Sequence, residues 1–283
     1  MIELLALDAD GTLVGEDMVI SDRVRRAVLK AQEYGVAVTV ATGRMLPITR
    51  GFARKLQIEI PLICYQGGLI QALDADKPLY RATMDPDVVR EAIAWRKVGA
   101  DRDWHMVLYA DDAMFIAERR YPERFYRDLL GKTLCEVDDL ASVLDHRDPV
   151  KFLFVADPSE ADEIEAQMRQ RFEGEMEIVR SHANFVEGNP LGVSKGDALR
   201  RLAGYLGVPR ERVMAVGDQG NDVSMIRWAG IGVAMGNGSS EVKAVADWVA
   251  PPFSEHGAAV AIERFILSER EQPQASSRPN MSS

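Results

Sequence analysis

The stretch that decides the fold is residues 4–13, LLALDADGTL. Its first four residues are apolar, which predicts a strand buried on both faces, as in a parallel sheet. Asp8 and Asp10 follow this strand directly, with Gly-Thr after them. The loops that leave parallel strands converge at the carboxyl edge of the sheet, where open α/β folds bind ligands. We therefore expect these two carboxylates to lie at a binding edge.

Helix and strand patterns alternate after this first strand. Residues 21–35 predict an amphipathic helix with Ser21 as its N-cap and Gly35 as its stop. Residues 36–43 and 61–65 predict further buried strands, and the same alternation returns from residue 194 to residue 267. Strand, helix and strand in this order predict right-handed crossovers in a parallel sheet.

The middle of the chain has another pattern, in which helices open at Pro-containing steps and strands come in pairs, one pair around Asp111-Asp112. In this part Trp104 and Phe185 are predicted to be core residues. We predict an α/β fold: a doubly wound parallel-sheet (Rossmann-like) core of residues 1–83 and 187–267, with an inserted α+β cap domain of residues 84–186. Residues 268–283 are polar and rich in Pro and Ser, which predicts a disordered tail.

Composition excludes several classes of protein. A content of 47% hydrophobic and 28% charged residues is typical of a soluble globular chain, and a net charge of -10 disfavours a nucleic-acid surface. The sequence shows neither an apolar run of the roughly 18 residues that span a membrane nor the basic start of a signal peptide. Cys64 and Cys135 lack metal-type spacing, so we expect free thiols and a cytoplasmic location. We expect a monomer or a homodimer.

Nearly all residues with catalytic potential fall in four loops: residues 8–12 (DADGT), 42–44 (TGR), 194–196 (SKG) and 217–222 (GDQGND). Three of these loops end core strands and should meet at one sheet edge. Four carboxylates there would repel one another unless a divalent cation neutralised them, and an all-oxygen set suits Mg²⁺. These carboxylates are Asp8, Asp10, Asp218 and Asp222. The Thr42 hydroxyl, the Lys195 ammonium and the backbone N–H groups near Gly43 suit a phosphoryl group.

In their order and position these loops resemble the four motifs of the haloacid dehalogenase superfamily. The cap between the second and third motifs is similar to that of the Cof-type (subfamily IIB) sugar-phosphate phosphatases. The resemblance covers residues 2–267 and implies Mg²⁺-dependent hydrolysis of small phosphorylated metabolites through an aspartyl-phosphate. Asp10 favours ester hydrolysis, because the related pumps, dehalogenases and phosphonate hydrolases lack an acid there.

The resemblance also implies a role for each motif residue. Asp8 would be the nucleophile and Asp10 the general acid and base. Mg²⁺ would bind the Asp8 carboxylate, the Asp10 carbonyl and Asp218, with Asp222 behind them or as an alternate ligand. The phosphoryl oxygens would be held by Thr42, Gly43, Lys195 and Asn221.

Substrate contacts are expected from Arg44, His105 and His182, the two histidines because they lie near strand ends in the cap. The cap is expected to close over the substrate about hinges near residues 83–85 and 187–192. Residues 65–68 read YQGG where relatives usually have Asn-Gly-Ala, and Gln219 replaces a common Asn. Because of the first departure, the resemblance does not indicate how residues 65–68 contact the cap.

Other functions compete with this interpretation. The same aspartyl-phosphate could serve a phosphomutase or phosphotransferase, or a phosphoryl-accepting switch such as a response-regulator receiver, although receivers are shorter and lack an acid equivalent to Asp10. Residues 192–196 match the G-x-S-x-G elbow of serine hydrolases, with Asp218 and His256 following in order. Pro190 makes the preceding segment a poor strand, and Ser194 is better explained as an N-cap. The substrate stays open among sugar phosphates, flavin mononucleotide, pyridoxal phosphate and phosphoglycerate-type esters.

Overall fold

The computed structural model describes residues 1–97, 104–111, 113–130 and 134–268. Within these residues, helices and strands divide the chain into a core and a cap. Asp112 of the expected hairpin and residues 269–283 of the expected tail lie outside the described residues. None of the described helices is long and apolar enough to cross a membrane.

A parallel five-stranded sheet forms the centre of the core. In spatial order its strands are β14 (Trp248–Val249), β13 (Ile231–Ala234), β12 (Val213–Gly217), β1 (Leu4–Leu7) and β2 (Ala37–Val40). The first strand is central and fully buried, as its apolar sequence predicts.

Helices cover both faces of this sheet. They are α1 (Asp22–Glu33), α2 (Leu46–Lys55), α7 (Lys195–Leu206), α8 (Val223–Trp228), α9 (Ser240–Val245) and α10 (Gly257–Ile262). Leu5 and Leu7 pack on the side of α1 and α10, whereas Leu4 and Ala6 pack on the side of α7 and α8. The doubly wound parallel core is therefore confirmed.

A small antiparallel sheet extends the core beyond β2. It consists of β3 (Leu62–Cys64), β4 (Leu69–Gln71) and β5 (Tyr80–Arg81). A single parallel bridge between Ala41 and Ile63 joins this sheet to the end of β2. The apolar run at residues 61–65 is thus a buried strand, but it pairs mainly with β4, the next strand of its own hairpin, and meets the parallel sheet only at the Ala41–Ile63 bridge.

The cap is built on a six-stranded sheet in the order β10-β11-β9-β6-β7-β8. Its strands are β6 (His105–Ala110), β7 (Ala113–Ile116), β8 (Leu134–Glu136), β9 (Pro149–Val155), β10 (Met176–His182) and β11 (Phe185–Pro190). The cap helices are α3 (Pro86–Trp95), α4 (Glu123–Leu130), α5 (Leu140–Val143) and α6 (Pro158–Arg171). All pairs are antiparallel except β7 with β8.

The two faces of the cap sheet have different surroundings. One face packs against the cap's own helices and buries Trp104, as expected, with Phe152 and Phe154. The other face carries Tyr109 and Leu153 and belongs to a hydrophobic cluster that continues into the core. The cap therefore presents this second face to the carboxyl edge of the core sheet.

The expected domain boundary at residue 187 is wrong, because β11 continues as a cap strand to Pro190. Pro190 is tolerated because it pairs with Met176 at the end of the strand, beyond the last pairing of β11 with β9 at Gly188. The second connection between cap and core therefore lies after residue 190. Residues 187–190, expected as part of a hinge, are strand.

Candidate active site

Three core loops bring acidic and basic side chains to the carboxyl edge of the parallel sheet. Asp8 follows β1 and Asp218 follows β12, two neighbouring strands. Ser194 caps α7 by accepting a hydrogen bond from the Asp197 N–H at 3.1 Å, and this cap places Lys195 in the first turn of the helix. The expectation that these motifs meet at one edge agrees with the structure.

Lys195 lies at the centre of this cluster and is 1% exposed. Its Nζ donates to Asp8 Oδ1 at 2.5 Å and to Asp222 Oδ1 at 2.6 Å. Burial alone would lower the pKa of Lys195, but Asp222 and Asp8 outweigh it and raise the pKa above its ordinary value. The charged form of Lys195 is therefore favoured, and its hydrogen bond to Asp8 fixes the orientation of that carboxylate.

Asp222 acts as the anchor of the loop that follows β12. Its Oδ2 accepts hydrogen bonds from the backbone N–H groups of Asp218 at 2.8 Å and Gln219 at 3.0 Å, while its Oδ1 binds Lys195. The side chain is completely buried. Asp222 therefore stabilises the loop and positions Lys195 at the same time.

Carboxylate oxygens of Asp8, Asp218 and Asp222 lie within 4.8 Å of one another and form a candidate metal site. Burial, followed by repulsion from Asp222, raises the pKa of Asp8 well above its ordinary value and that of Asp218 to about 7. When all three acids are ionised, as a bound cation requires, three carboxylates and one ammonium leave two uncompensated negative charges. A divalent cation bound by oxygen ligands would neutralise them, and this donor set fits Mg²⁺.

The backbone at Gly11 makes room for this acidic pocket. Gly11 has a φ of +81°, and a Cβ atom there would lie 2.2 Å from Asp218 Oδ2. Asp218 is held in place by amide donors from Gln219 at 3.1 Å and Asn237 at 3.3 Å. The Gly in the DADGT motif is thus required by both conformation and space.

Asp10 is paired with Arg44 and differs from the buried acids in being half-exposed at the cavity. The Arg44 guanidinium donates to both carboxylate oxygens of Asp10, with Nη2 to Oδ1 at 2.7 Å and Nε to Oδ2 at 2.8 Å. This bidentate geometry fixes the carboxylate plane. The structure places Arg44, expected as a substrate contact, at the cavity wall as the partner of Asp10.

The other residues predicted to bind the phosphoryl group lie at the same carboxyl edge of the core sheet. Thr42 is completely buried, and its hydroxyl accepts the Arg44 N–H at 3.1 Å. Gly43 and Asn221 line the cavity. The Asn221 amide donates to Gln66 Oε1 at 3.0 Å.

Gln66 was not recognised as a site residue from the sequence, although it belongs to the unusual YQGG segment. Tyr65 and Gln66 have φ values of 52° and 57°, a left-handed conformation that is uncommon for residues other than Gly. This turn places the Gln66 amide so close to Gly43 that a Cβ atom on Gly43 would lie 2.3 Å from Gln66 Nε2. Gln66 therefore packs directly on the predicted phosphate-binding loop.

The cap contributes a buried ion pair that contacts the core. Lys151 Nζ donates to Glu187 Oε2 at 3.0 Å and to the Gly43 carbonyl oxygen at 3.0 Å. Glu187 also accepts from Ser181 Oγ at 2.6 Å and from Gln66 Nε2 at 3.3 Å. In the sequence, each of these two strands contains a single charged residue, Lys151 in β9 and Glu187 in β11, but nothing in the sequence shows that the two meet.

The two histidines expected as substrate contacts have different positions. His182 is exposed and lines the cavity beside Phe185, with ring centroids 5.1 Å apart. His105 is 4% exposed, hydrogen-bonds to the Tyr126 hydroxyl at 3.1 Å and is not among the cavity-lining residues. Phe185, expected in the cap core, borders the cavity instead.

Together these residues enclose a cavity of about 830 Å³ between core and cap. Asp8, Asp10 and Asp218 line its core side, and residues of β9, β10 and β11 line its cap side. The arrangement combines an oriented carboxylate, a fixed cation, a candidate metal site and a second carboxylate two residues from the first. It is suited to transfer of a phosphoryl group.

Comparison with known proteins agrees with this geometry. The sequence profile of the haloacid dehalogenase-like hydrolases matches residues 5–262. A 5-amino-6-(5-phospho-D-ribitylamino)uracil phosphatase of Bacillus subtilis is 32% identical, with 94% of this chain and 96% of that protein covered. A second protein of that organism with the same named activity is 27% identical, with 93% of this chain and 97% of that protein covered.

A solved structure shows the same arrangement of core and cap. It is a haloacid dehalogenase-like hydrolase from Bacteroides thetaiotaomicron, which is 29% identical and superposes with a TM-score of 0.79. The match covers 93% of this chain and 99% of the other.

Proposed function

We propose the reaction and its substrates from one premise: the chain belongs to the haloacid dehalogenase-like hydrolases and is a phosphoric monoester hydrolase. The proposed reaction is hydrolysis of small phosphorylated metabolites through an aspartyl-phosphate on Asp8. The observation that carries the proposal is the pair of carboxylates after β1. One is buried and bound by Lys195, and the other is half-exposed at the cavity.

In the first step Asp8 attacks phosphorus. Lys195 holds Oδ1, so Oδ2 is the oxygen expected to form the new P–O bond. The P–O bond to the ester oxygen breaks, and Asp10 supplies the proton that the leaving alkoxide needs. The alcohol then leaves, and an acyl phosphate remains on Asp8.

In the second step Asp10, now a carboxylate, accepts a proton from water. The oxygen of that water forms a bond to phosphorus, and the P–O bond to Asp8 breaks. Inorganic phosphate leaves, while Asp8 is regenerated as a carboxylate and Asp10 as an acid. Arg44 orients Asp10 in both steps: as a carboxylate Asp10 accepts both Arg44 donors, and as an acid it keeps the bond to its carbonyl oxygen while its hydroxyl faces the leaving group.

Mg²⁺ is the proposed cofactor, and the residues that would hold it are Asp8, Asp218 and the carbonyl of Asp10, with Asp222 behind them. When bound, the ion supplies positive charge that neutralises the acidic pocket and the phosphoryl oxygens. The two uncompensated negative charges of the buried cluster support this assignment. The phosphoryl oxygens are proposed to be held by Thr42, Gly43, Lys195 and Asn221.

The cap is proposed to close the site and to select the substrate. Lys151 of the cap donates a hydrogen bond to the carbonyl oxygen of Gly43, so the cap directly contacts the proposed phosphate-binding loop. The activity named for two relatives concerns a phosphorylated small molecule, which supports a small metabolite as substrate. We also propose a cytoplasmic location, because Cys64 and Cys135 are both free thiols.

The test is phosphate release from a panel of small phosphate esters, with Mg²⁺ or with EDTA, by the wild type and by Asp8→Asn. Metal-dependent release that disappears in Asp8→Asn is expected. Release that survives the substitution would contradict the role of Asp8. Phosphate that appears on another alcohol rather than in solution would instead indicate a mutase or phosphotransferase.

A further inference from the structure

We propose that Gln66 is a positioning residue that makes phosphoryl binding depend on the position of the cap. Glu187 of the cap binds one end of the Gln66 amide, and the other end orients Asn221 so that an N–H donor faces the phosphoryl group. Both donors of the phosphoryl site that Gln66 contacts are then in place only while the cap lies on the core. This inference rests on the proposed function, because that function places Asn221 against the phosphoryl oxygens.

A chain of hydrogen bonds with a fixed direction runs from the cap to the phosphoryl site. Gln66 Nε2 donates to Glu187 Oε2 at 3.3 Å, and Asn221 Nδ2 donates to Gln66 Oε1 at 3.0 Å. A carboxylate only accepts hydrogen bonds, so Glu187 requires the NH₂ end of the Gln66 amide to face it. The carbonyl oxygen of Gln66 therefore faces Asn221, which must donate through its own NH₂ group.

This contact holds the Asn221 amide in the orientation that suits a phosphoryl anion. The amide nitrogen carries two hydrogens and Gln66 accepts one of them, so the other is available to an oxygen in the cavity that Asn221 lines. Asn221 Oδ1 is buried and has no hydrogen-bond partner among the described residues. The opposite orientation would put this oxygen at the position of the nitrogen, where Gln66 Oε1 and the anion would both repel it.

The backbone around Gln66 fixes its amide in the place that this chain of hydrogen bonds requires. Gln66 is 2% exposed, and its backbone N–H donates to the Thr42 carbonyl oxygen at 3.0 Å. Tyr65 and Gln66 have φ values of 52° and 57°. Two consecutive non-glycine residues with positive φ persist only where the surrounding structure holds them, and such strain is concentrated at functional sites.

The cap also fixes the loop that contains Gly43. Lys151 Nζ donates to the Gly43 carbonyl oxygen at 3.0 Å, and the Arg44 N–H of the same peptide donates to Thr42 Oγ1 at 3.1 Å. The preceding peptide is held by the bond from the Gln66 N–H to the Thr42 carbonyl oxygen. Its own N–H, that of Gly43, has no hydrogen-bond partner in the part of the chain that the structure describes. This N–H is a second donor for the phosphoryl group.

One ion pair of the cap therefore acts on both donors. Lys151 and Glu187 bond to each other at 3.0 Å, and their side chains are only 4% and 5% exposed. If the cap moves away, Gln66 loses the acceptor that selects its orientation and Gly43 loses its contact with Lys151. Nothing then prevents the Gln66 amide from reversing and turning the oxygen of Asn221 toward the anion.

The experiment measures the binding of orthovanadate in the presence of Mg²⁺ by calorimetry. Orthovanadate has the size of a phosphoryl group and no alcohol part, so contacts between the cap and a substrate do not contribute. Gln66→Met keeps the length of the side chain and removes both hydrogen bonds. Loss of one hydrogen bond to a charged group should raise the Kd about 10-fold to 100-fold.

A double-mutant cycle tests whether Gln66 acts through Asn221. Asn221→Ala removes the donor and should also raise the Kd of orthovanadate. If Gln66 only orients that donor, adding Gln66→Met to Asn221→Ala should change the Kd by less than about 2-fold. A general disturbance of the site would instead multiply the two losses.

Two further variants test the contribution of the cap and the specificity of the effect. Lys151→Met combined with Glu187→Met replaces a buried ion pair by apolar side chains, a change that folded proteins often tolerate. It should weaken orthovanadate binding at least as much as Gln66→Met, and it takes the place of Gln66→Met if that variant does not fold. Gln32→Met is the matched control, because Gln32 bonds to the Gln57 carbonyl oxygen at 3.2 Å near the end of α1, at the opposite edge of the core sheet. It should leave the Kd unchanged.

Phosphate release from p-nitrophenyl phosphate, measured in parallel, separates this inference from the proposed function. Orthovanadate binding that depends on Gln66 only while Asn221 is present supports the inference even if no ester is hydrolysed, in which case the proposed reaction alone has failed. An unchanged Kd in Gln66→Met, or losses that multiply in the double variant, would overturn the inference while leaving the phosphatase intact. Orthovanadate that does not bind to the wild type would also overturn it, and phosphate release would then decide the proposed reaction separately.

Discussion

Replacement of Asp218 by Asn should stabilise the metal-free protein while it weakens Mg²⁺ binding. Burial, and then repulsion from Asp222, raises the pKa of Asp218 from 3.8 to about 7. Each pKa unit corresponds to about 1.4 kcal/mol, so ionised Asp218 destabilises the folded protein by about 4 kcal/mol once the pH is well above 7. Asn has the same shape without the charge and still accepts hydrogen bonds through its carbonyl oxygen.

The sign of the pH dependence follows from the raised pKa. The folded protein holds the Asp218 proton more tightly than the unfolded chain does. The stabilisation that this proton provides is complete below the pKa of the unfolded chain, near 3.8, and is lost as the pH rises through the pKa of the folded protein, about 7. The advantage of Asp218→Asn should therefore approach about 4 kcal/mol at pH 8 and fall below about 2 kcal/mol at pH 5.

Urea unfolding followed by circular dichroism, in EDTA at pH 5 and pH 8, measures this difference. Asp76→Asn is the control, because Asp76 is exposed and distant from the cluster in sequence, and its substitution should leave the free energy of unfolding unchanged. Added Mg²⁺ should stabilise the wild type by about 2.7 kcal/mol at a hundred times its Kd and stabilise Asp218→Asn much less. An Asp218→Asn protein less stable than the wild type in EDTA at pH 8 would refute the electrostatic argument.

Two other substitutions test the neighbouring contacts. Lys195→Met leaves Asp8 and Asp222 buried without their cation, and we expect a loss of about 3–5 kcal/mol in the free energy of unfolding at pH 8 in EDTA. A loss under about 1 kcal/mol would show that Lys195 does not hold the two carboxylates as described. Arg44→Lys removes the bidentate bond to Asp10. We expect kcat to fall more for an alkyl phosphate, whose leaving oxygen needs a proton, than for p-nitrophenyl phosphate, whose leaving oxygen does not. Equal losses of kcat for both esters would indicate that Arg44 does not act through Asp10.

The sequence allowed prediction of the parts of the fold in which local pattern and topology agree. The buried run before Asp8 and the N-cap at Ser194 specify a parallel strand and a helix start, and both are present in the structure. Motifs that follow neighbouring parallel strands must meet at one edge, so the acidic cluster could be foreseen without coordinates. The strand through Pro190 could not, because the cost of Pro in a strand depends on which neighbour its missing N–H would face.

The contacts between the core and the cap were less accessible to prediction. Gln66 reaches Gly43 only through two consecutive residues with positive φ, a conformation that the YQGG sequence does not specify. The pairing of Lys151 with Glu187 depends on the register between β9 and β11. Phe185 has the alternation expected of a core residue, and only the position of the core below it leaves its ring at a cavity. A charged residue in a strand can be noticed in the sequence, but the sequence does not show which residue it meets across a domain interface.

The most direct test of the central claim is a search for the phosphoryl group on Asp8 during turnover. The enzyme is mixed with a turned-over phosphate ester and Mg²⁺, quenched in acid within milliseconds and digested, and the peptide that contains residues 4–13 is analysed by mass spectrometry. We expect a mass increase of one phosphoryl group on Asp8 that hydroxylamine removes, and no such adduct with Asp8→Asn. Phosphate release at an undiminished rate without any adduct on Asp8, or an adduct on another residue, would contradict it.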